Sequence, residues 1–469
     1  MKSKTNLLLA VMGGVVLLLL VILIGVRLSQ KAPRPAELIP DTGTSGARLE
    51  RTNGRETTNG RETKGSAGMT TPTPTTTQPP TTTTAEPTTT EPLPGVGETV
   101  TVVAGGDVLM HTWLLNGGRQ SDGSYDYDYM LKYLRPVTGT ADVALADMEG
   151  TLAGEPYTGY PQFSSPDAVA RAIAAGGFNH ALSANNHAID RGTAGLKRTA
   201  EVLRDAGLTV VGTRAAADWP RYTISEHRGV RIGVTGWTYE TVRQGDRRAL
   251  NGILMPEDVL DLINSFSIED PWMTEDFNQM AAMAADMREA GADLVVFFLH
   301  WGTEYQTTPA GYQTNLAQRL CDAGVDLVIG NGPHVMQPIH VLTSEDGSHE
   351  MLCYYSVGNM VTDQYFDTAN NQGFAEDGLL AHASFTKQAD GSMQIARIAY
   401  LDFYCYKNKY ASAETLNTPI PITAGLESPG SYGLNSDQLW MLRNSADRTA
   451  SVMARNETGD YGVERLSGY

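Results

Sequence analysis

Side chains that can bind a metal stand directly after short apolar segments in this sequence. The candidates are Asp107, Glu149, Asn186, His187, His300 and His334. Carboxylates, neutral imidazoles and an amide oxygen form a ligand set that suits Mn²⁺, Fe or Zn²⁺, and a carboxylate can bridge two ions. Two such ions can clamp a phosphate ester and generate hydroxide, while a nearby histidine protonates the leaving group. The pattern favours a functional site over chance scatter.

The segments that precede these side chains predict an α/β fold. A helix that ends in glycine, then an apolar strand, then a polar cluster with histidine occurs at residues 175–187, 290–302 and 323–334. Two further strands, at residues 99–104 and 141–146, end just before Asp107 and Glu149. Continuous apolar strands alternating with helices indicate a sheet buried on both faces. Because ligands bind beyond the carboxyl ends of strands in open α/β sheets, we expect the candidates to converge there.

Other elements are predicted from local signals. Ser165 is expected to cap a helix over residues 166–175, since Pro166 suits its first position. We also predict a hairpin at residues 222–236 around Arg228-Gly229, strands within 352–357 and 379–407 with a turn at Asp390-Gly391, and a helix at 436–456.

The N-terminus predicts a membrane anchor. Residues 7–26 are apolar or glycine, long enough as a helix to cross a bilayer core. Lys2 and Lys4 place the short N-terminus in the cytoplasm and the bulk of the chain outside. The alternative is a cleaved signal peptide, but no A-x-A cleavage site follows the apolar run. We therefore expect a single-pass protein of the cell membrane.

A disordered tether is predicted after the anchor. Residues 52–57, TNGRET, repeat as residues 58–63, and a Thr/Pro-rich tract follows at residues 70–94. Such segments bury too little apolar surface to fold, and their prolines favour extended spacers. The predicted organisation is an anchor at 1–31, a linker at 32–97, a globular domain at 98–405 and a C-terminal extension packed on it at 406–469.

Charge and cysteine content limit the ligands and partners that the chain can bind. The formal net charge of −18 argues against nucleic acid, and it would repel an anionic polymer unless a metal or a local site offset it. The cysteines, Cys321, Cys353 and Cys405, form no CxxC pair, so a thiolate zinc site is not expected. Cys353 and Cys405 could pair outside the membrane, but burial as small apolar residues is favoured.

Six short motifs together resemble the CapA family of capsule and poly-γ-glutamate synthesis proteins. They are GDVLM at 106–110, DME at 147–149, ANNH at 184–187 followed by DRG at 190–192, HWGTEY at 300–305, PHVMQP at 333–338 and YSVGNM at 355–360. Each motif alone is weak, but the ordered set is specific. CapA domains are similar in fold to calcineurin-like metallophosphoesterases, which implies an α/β sandwich of two sheets flanked by helices.

The resemblance also implies roles for individual residues. The implied metal ligands are Asp107, Glu149, Asn186, His300 and His334, with His187 as the general acid. Asn185, Trp301, Glu304 and Tyr305 are the expected substrate-binding residues. Each of these residues could instead have a structural role. Asn186 could cap a turn, His187 could be a hydrogen-bonded polar residue inside a loop, and Trp301 and Tyr305 could serve packing.

Two departures from the phosphoesterase pattern reduce the expected ligand count. Leu109 stands where phosphoesterases carry a histidine after the first aspartate, and Gly332 replaces the first histidine of their H-x-H pair. Each putative ion then has about three protein ligands, so one ion or two remain open.

Three functions follow in order of preference. The first is an envelope protein that acts with a membrane complex to polymerise or export poly-γ-glutamate or a similar anionic polymer. The second is an exported metal-dependent hydrolase acting on a phosphoester or, with less support, an amide. The third is a polymer- or wall-binding module that has lost the ion.

Overall fold

The computed structural model describes residues 93–241, 243, 245–365, 372–406 and 417–467. Its strands, in chain order, are β1 (Thr99–Val108), β2 (Val143–Asp147), β3 (His180–Leu182), β4 (Thr209–Val211), β5 (Thr223–His227), β6 (Val230–Tyr239), β7 (Ala249–Leu250), β8 (Ile253–Leu254), β9 (Ser265–Phe266), β10 (Leu294–His300), β11 (Leu327–Asn331), β12 (Ile339–Thr343), β13 (Glu350–Tyr354), β14 (Asn359–Val361), β15 (Asp377–Lys387), β16 (Met393–Tyr406), β17 (Thr418–Pro421) and β18 (Val463–Arg465).

The helices of the described residues lie between and after these strands. They are α1 (Thr112–Gly117), α2 (Arg135–Thr138), α3 (Ala168–Ala175), α4 (Gly192–Asp205), α5 (Trp272–Glu289), α6 (Gly311–Asp322), α7 (Ile422–Glu427) and α8 (Ser436–Met453). Short 3₁₀ turns occupy Glu257–Val259, Phe374–Glu376 and Pro429–Tyr432.

Two mixed sheets carry the fold. The first has the order β17-β16-β15-β1-β2-β3-β4, with β14 beside β1 and β18 beside β16. Its strands β1 to β4 run parallel, and β15 to β17 are antiparallel additions. The second has the order β12-β13-β11-β10-β6-β5, with β9 beside β6, and its central strands β13, β11, β10 and β6 are parallel.

The sheets pack face to face because alternate residues of each strand point to opposite sides. Val102 of β1 and Val296 of β10 belong to one shared apolar core. Their neighbours point outward: Val103 joins a core with helices α1, α3 and α4, and Val295 joins another with α5 and α6. The layers are therefore helix, sheet, sheet, helix, which agrees with the predicted α/β class.

Most predicted elements are confirmed, with small shifts of their ends. The hairpin around Arg228-Gly229 is β5 and β6, the turn at Asp390-Gly391 joins β15 to β16, and the predicted C-terminal helix is α8. The Ser165 cap is wrong: α3 begins at Ala168 after Asp167, and the Ser165 hydroxyl makes no hydrogen bond among the described residues. All three cysteines are free and buried, as favoured.

The predicted anchor and the tether as far as residue 92 lie outside the described residues. Among the described residues, none of the helices combines the length and apolarity that a membrane crossing requires. The boundary predicted at residue 405 stays a prediction; β17 and β18, which follow it, both pair with β16 of the first sheet.

Candidate metal centre

Asp107 is the central residue of a buried cluster formed where both sheets end. It lies near the end of β1, and one carboxylate oxygen is 3.0 Å from Nδ1 of His334. Its other oxygen is 3.8 Å from Nδ1 of His300, at the end of β10. One carboxylate thus faces an imidazole on each side, and all three side chains are buried.

Two groups of three residues share this aspartate. Asp107, Asp147 and His300 form the first, and Asp107, Glu149 and His334 form the second. Within each group one potential ligand atom per residue lies within 4.8 Å of the others, close enough to hold a metal ion. The structure therefore brings together Asp107, Glu149, His300 and His334 as predicted, and it adds Asp147.

The first group is joined by short contacts across the sheets. Oδ2 of Asp147, the last residue of β2, is 2.8 Å from Nδ1 of His300. Burial raises the pKa of the Asp147 carboxyl, although the nearby His300 partly opposes this shift. Nδ2 of Asn331 donates to Asp107 and lies 3.3 Å from Oδ2 of Asp147. Asn331 thus joins the two carboxylates and fixes their spacing.

The second group contains a carboxylate without hydrogen-bond donors. Oε2 of Glu149 lies 3.7 Å from Nδ1 of His334, and neither Glu149 oxygen has a hydrogen-bond partner among the described residues. Burial, with the charges of Asp107 and Asp147, raises the pKa of Glu149 well above its ordinary value. For His334, burial acts to lower the pKa, but the hydrogen bond and charge of Asp107 outweigh it and raise the value.

The side chains of the cluster are chemically suited to bind a divalent cation. Besides the two Glu149 oxygens, Oδ1 of Asn186 and Oδ1 of Asn331 are buried and without a donor among the described residues. Buried polar atoms are normally satisfied, and oxygen atoms that lack donors are atoms a cation can satisfy. Carboxylate, imidazole and amide ligands suit Mn²⁺, Fe or Zn²⁺.

The loop after β3 places the predicted general acid beside the cluster. Nδ1 of His187 is 2.7 Å from Oδ2 of Asp190, which also accepts the backbone N–H of Phe163 at 2.7 Å. The Phe163 ring packs edge-on against His187, with centroids 4.7 Å apart. Asp190 therefore fixes the imidazole, with Nδ1 as the nitrogen that faces the carboxylate.

Asn185 connects that loop to the ligands. Its Nδ2 donates to the carbonyl of Met148 at 2.8 Å, and its Oδ1 accepts the backbone N–H of His187 at 3.2 Å. Asn185 is fully buried, so its contacts position the loop. Asn186 is also buried, next to this junction, and its predicted role as a ligand stays a prediction.

The remaining predicted residues divide between interior and opening. Trp301 is fully buried, stacks on Tyr355 and donates its indole N–H to the Tyr355 carbonyl at 2.9 Å. These contacts favour the alternative in which Trp301 serves packing. Glu304 is exposed and Tyr305 partly exposed. Burial raises the pKa of Tyr305 to about 12, with added effects of the Glu304 and Glu149 charges. The Tyr305 ring lies 6.0 Å from the His334 ring, centroid to centroid, so Tyr305 lies at the opening of the cluster, and Glu304 precedes it in the chain.

The structure places both residues that depart from the phosphoesterase pattern, and it gives a physical reason for Gly332. Leu109 is buried in the interior. Gly332 has φ +108°, and a Cβ there would lie 2.7 Å from the Trp301 carbonyl oxygen and 3.1 Å from Nε2 of His300. No side chain fits at position 332, because the backbone conformation and the space both exclude it.

Sequence reasoning missed Asp147, Asn331 and Asp190. The first two are the last residues of β2 and β11, so they stand at the strand ends where the other candidates were found. Asp147 and Glu149 are two residues apart, a spacing that points side chains to one side of an extended chain. That signal was present in the sequence and could have selected both carboxylates.

The chain belongs to a bacterial capsule synthesis family. The family model described as "Bacterial capsule synthesis protein PGA_cap" matches residues 101–364, more than half of the chain. The resemblance to CapA proteins predicted from the six motifs is thereby confirmed.

Individual relatives agree with this membership. The chain is 27% identical to the capsule biosynthesis protein CapA of Bacillus anthracis over 274 residues, which cover 57% of this chain and 61% of the relative. It is 32% identical to the PGA biosynthesis protein CapA of Bacillus subtilis over 184 residues, which cover 39% and 42%. A probable polyglutamine synthesis accessory protein of Mycobacterium tuberculosis is 26% identical over 216 residues, 45% of this chain and 52% of that protein. The chain thus spans less than two thirds of each relative.

Solved structures resemble the chain more distantly. A Haemophilus influenzae NAD nucleotidase aligns with a TM-score of 0.40 and 14% identity, covering 78% of this chain and 64% of that one. The sulfate thiohydrolase SoxB of Thermus thermophilus aligns with a TM-score of 0.34 and 13% identity, covering 64% and 56%.

Proposed function

We propose that this protein is a membrane-anchored, extracytoplasmic component of capsule polymer biosynthesis or export, and that its strand-end centre binds one or two divalent cations. The polymer is poly-γ-glutamate or a similar polyanion, handled with a membrane-bound synthase or export complex. Family membership supports the process, and the apolar run at residues 7–26 supports the location.

The buried cluster around Asp107 carries the proposal for the site. The carboxylates of Asp107, Asp147 and Glu149 are buried together with two imidazoles. Among the described residues, no lysine or arginine forms a salt bridge with any of the three. Isolated buried carboxylates are costly unless a cation compensates them. A divalent ion supplies that charge.

Such an ion would also offset the repulsion between the negatively charged chain and an anionic polymer. The chain carries −18, so a polyanion needs a local positive charge to approach it. Bound Mn²⁺, Fe or Zn²⁺ can coordinate carboxylate or phosphate oxygens and polarise them. Asp107, Asp147, Glu149, His300 and His334 would hold it, and Asn331 would keep the carboxylates in place.

Metal content tests the proposal. The full chain, purified in detergent without chelator or affinity metal, is expected to retain about one or two transition ions by mass spectrometry. Asp107→Ala and His300→Ala should lose them. Asp390→Ala is the matched control, because Asp390 lies in an exposed turn and, among the described residues, bonds only Ser392.

An absent ion would leave a different function. If the folded wild type binds no ion after incubation with Mn²⁺ or Zn²⁺, the metal centre is wrong. Polymer or wall binding without a metal would then be the remaining role.

Hydrolysis is a second candidate function, which the pairing of His187 with Asp190 favours. A histidine held through Nδ1 by a buried carboxylate can use Nε2 to protonate a leaving group. Mn²⁺-loaded protein would be assayed with an alkyl phosphodiester and an alkyl γ-glutamyl amide, whose poor leaving groups need a proton to depart. We expect His187→Ala to lower kcat at least about a hundredfold with the ion content unchanged. His227→Ala, on β5, is the control, and equal rates in both variants would exclude the acid role.

A further inference from the structure

Asn359 lies beside Asp107 in the first sheet. The two residues are direct partners in the parallel pairing of β1 with β14. Both side chains are fully buried, and Oδ1 of Asn359 is 3.1 Å from Nδ1 of His334. By position, Asn359 therefore belongs with the group of Asp107, Glu149 and His334, although the motif that contains it, YSVGNM, predicted no role for it.

Two glycines bring Asn359 to this position. A Cβ at Gly106 would overlap the carbonyl oxygen of Gly358, so any other residue there would push the two strands apart. Gly358 has φ +72°, and a Cβ there would lie 2.8 Å from the Asp377 carbonyl oxygen. Only glycine allows this close approach of the two backbones. Because one glycine precedes Asp107 and the other precedes Asn359, the approach places these two side chains next to each other.

Backbone carbonyls fix the orientation of the Asn359 amide. Its Nδ2 donates to the carbonyl of Ala375 at 3.0 Å and to the carbonyl of His334 at 3.2 Å, and Oε1 of Gln364 is a further acceptor at 3.1 Å. In the reversed orientation, the amide oxygen would face two carbonyl oxygens, which cannot donate to it. Oδ1 is therefore the atom that faces the imidazole and the buried cluster.

Three oxygen atoms converge on one nitrogen of His334. Their distances from Nδ1 are 3.0 Å for Oδ2 of Asp107, 3.1 Å for Oδ1 of Asn359 and 3.7 Å for Oε2 of Glu149. A single ring N–H cannot satisfy three acceptors, and the Glu149 oxygens have no donor among the described residues. A divalent cation, which accepts several oxygen ligands at once, can satisfy all three.

We propose that Oδ1 of Asn359 is a fourth metal ligand, together with Asp107, Glu149 and His334. The inference rests on the proposed metal centre and adds a ligand to one of its two groups. It rests on the strand register, the fixed amide and the convergence of oxygen atoms on the imidazole.

The added ligand also offsets the departure at Leu109. Leu109 is buried and stands where phosphoesterases carry a histidine, so β1 supplies one ligand fewer. The backbone N–H of Leu109 donates to the Val361 carbonyl at 2.9 Å, which keeps the end of β1 beside β14. The ligand that β1 lacks is then supplied by the neighbouring strand, as an amide oxygen in place of an imidazole.

Mn²⁺ titration of the full chain in detergent tests the assignment, with ion content measured by mass spectrometry. Asn359→Leu removes the oxygen and should lose the ion of this group while the group of Asp147 and His300 keeps its own. We expect Mn²⁺ affinity to fall by more than about 100-fold, because side chains that only orient a ligand cost about 10- to 100-fold. Asn359→Asp, which keeps an oxygen ligand, should retain the wild-type ion content.

Asn179→Leu is the matched control, and it should retain the wild-type ion content. Oδ1 of Asn179 also lies beside a histidine, 2.7 Å from Nδ1 of His180, but at the start of β3, away from the strand ends that carry the centre. Circular dichroism checks the fold of each variant. If Asn359→Leu does not fold, Asn359→Asp decides alone.

Two results would overturn the ligand role of Asn359. One is unchanged ion content and affinity in folded Asn359→Leu. The other is loss of the ion in folded Asn359→Asp, because the centre would then depend on the amide N–H donors and not on the oxygen. A wild type without ions would overturn the metal centre itself, and the ion measurement on the wild type shows this separately.

Discussion

Oδ2 of Asp147 lies 2.8 Å from Nδ1 of His300, although 153 residues separate them in the chain. Asp147 ends a strand of the first sheet and His300 ends a strand of the second. The contact therefore closes the space between the carboxyl ends of the two sheets, where Asp107 also lies.

The shared position of Asp107 predicts unequal effects of three conservative substitutions. Asp107→Asn should remove all bound ions, because both groups use this carboxylate. Asp147→Asn and Glu149→Gln should each weaken one group only, lowering affinity at that group about 10- to 100-fold. Ion content and Mn²⁺ titrations check this. Equal behaviour of all three variants would show that the two groups do not bind separately.

Metal affinity should rise with pH. The pKa of Glu149 is raised by burial and by the charges of Asp107 and Asp147, so the metal-free protein holds a proton above the ordinary value of 4.5. An ion must displace that proton. Below the raised pKa of Glu149, affinity should increase by about tenfold per pH unit for each proton released.

Glu149 also determines whether the metal-free protein gains or loses stability as the pH rises. Between its ordinary and its raised pKa, Glu149 binds more proton in the folded state than in the unfolded state. Its contribution to stability is therefore present at low pH and is lost as the pH rises through that window. Thermal unfolding with and without Mn²⁺ from about pH 5 to about pH 8 should show a metal-induced gain in Tm that grows with pH. A gain independent of pH would contradict the proton displacement.

Replacing Gly332 should weaken both the fold and the centre. Its φ is +108°, and a Cβ at this position would lie only 2.7 Å from the Trp301 carbonyl oxygen, which leaves no room for alanine. We expect Gly332→Ala to lower the free energy of unfolding by about 1–3 kcal/mol and to reduce ion content. Gly347→Ala is the control, since its φ is also positive, +73°, but its surroundings are open. A Gly332→His variant that gained an ion would contradict the exclusion of a side chain at position 332.

The C-terminal helix should be held chiefly by the ion pair of Arg448 with the buried Asp377, since the second pair of Arg448, with Glu376, is longer at 3.9 Å. Arg448 of α8 contacts both oxygens of the buried Asp377 at 2.5 and 2.7 Å, and Ser445 donates to the same carboxylate at 2.6 Å. Arg448→Met should cost about 3–5 kcal/mol, because it leaves a buried carboxylate without its cation. Arg443→Met, an exposed position on the same helix, should change stability by less than about 0.5 kcal/mol. Urea unfolding measures both, and equal midpoints would refute the docking role.

The sequence was informative where residue type and strand periodicity coincide. Asp107, Glu149, His300 and His334 were predicted because each closely follows an apolar strand, and the structure brings them together. The local hairpins and α8 were predicted from turn residues and spacing.

Long-range pairing explains what the sequence could not predict. The contact of Asn331 with Asp107 joins residues 224 positions apart. The stacking of Tyr239 on His300 depends on β6 lying beside β10, an adjacency that no local pattern encodes. At Ser165 a local signal was misleading: serine is a favourable capping residue, but the helix begins at Ala168 instead.

A centre assembled from both sheets cannot exist in a partly made chain. Its ligands extend from Asp107 to His334, so a growing polypeptide lacks the last imidazole until most of the fold has been synthesised. If the proposed ion is bound, it can therefore enter only late in synthesis or afterwards, and the ions able to occupy the centre would be those available in the compartment where the chain completes its folding. The cell would then select the metal by the place of maturation as much as by the affinity of the ligands.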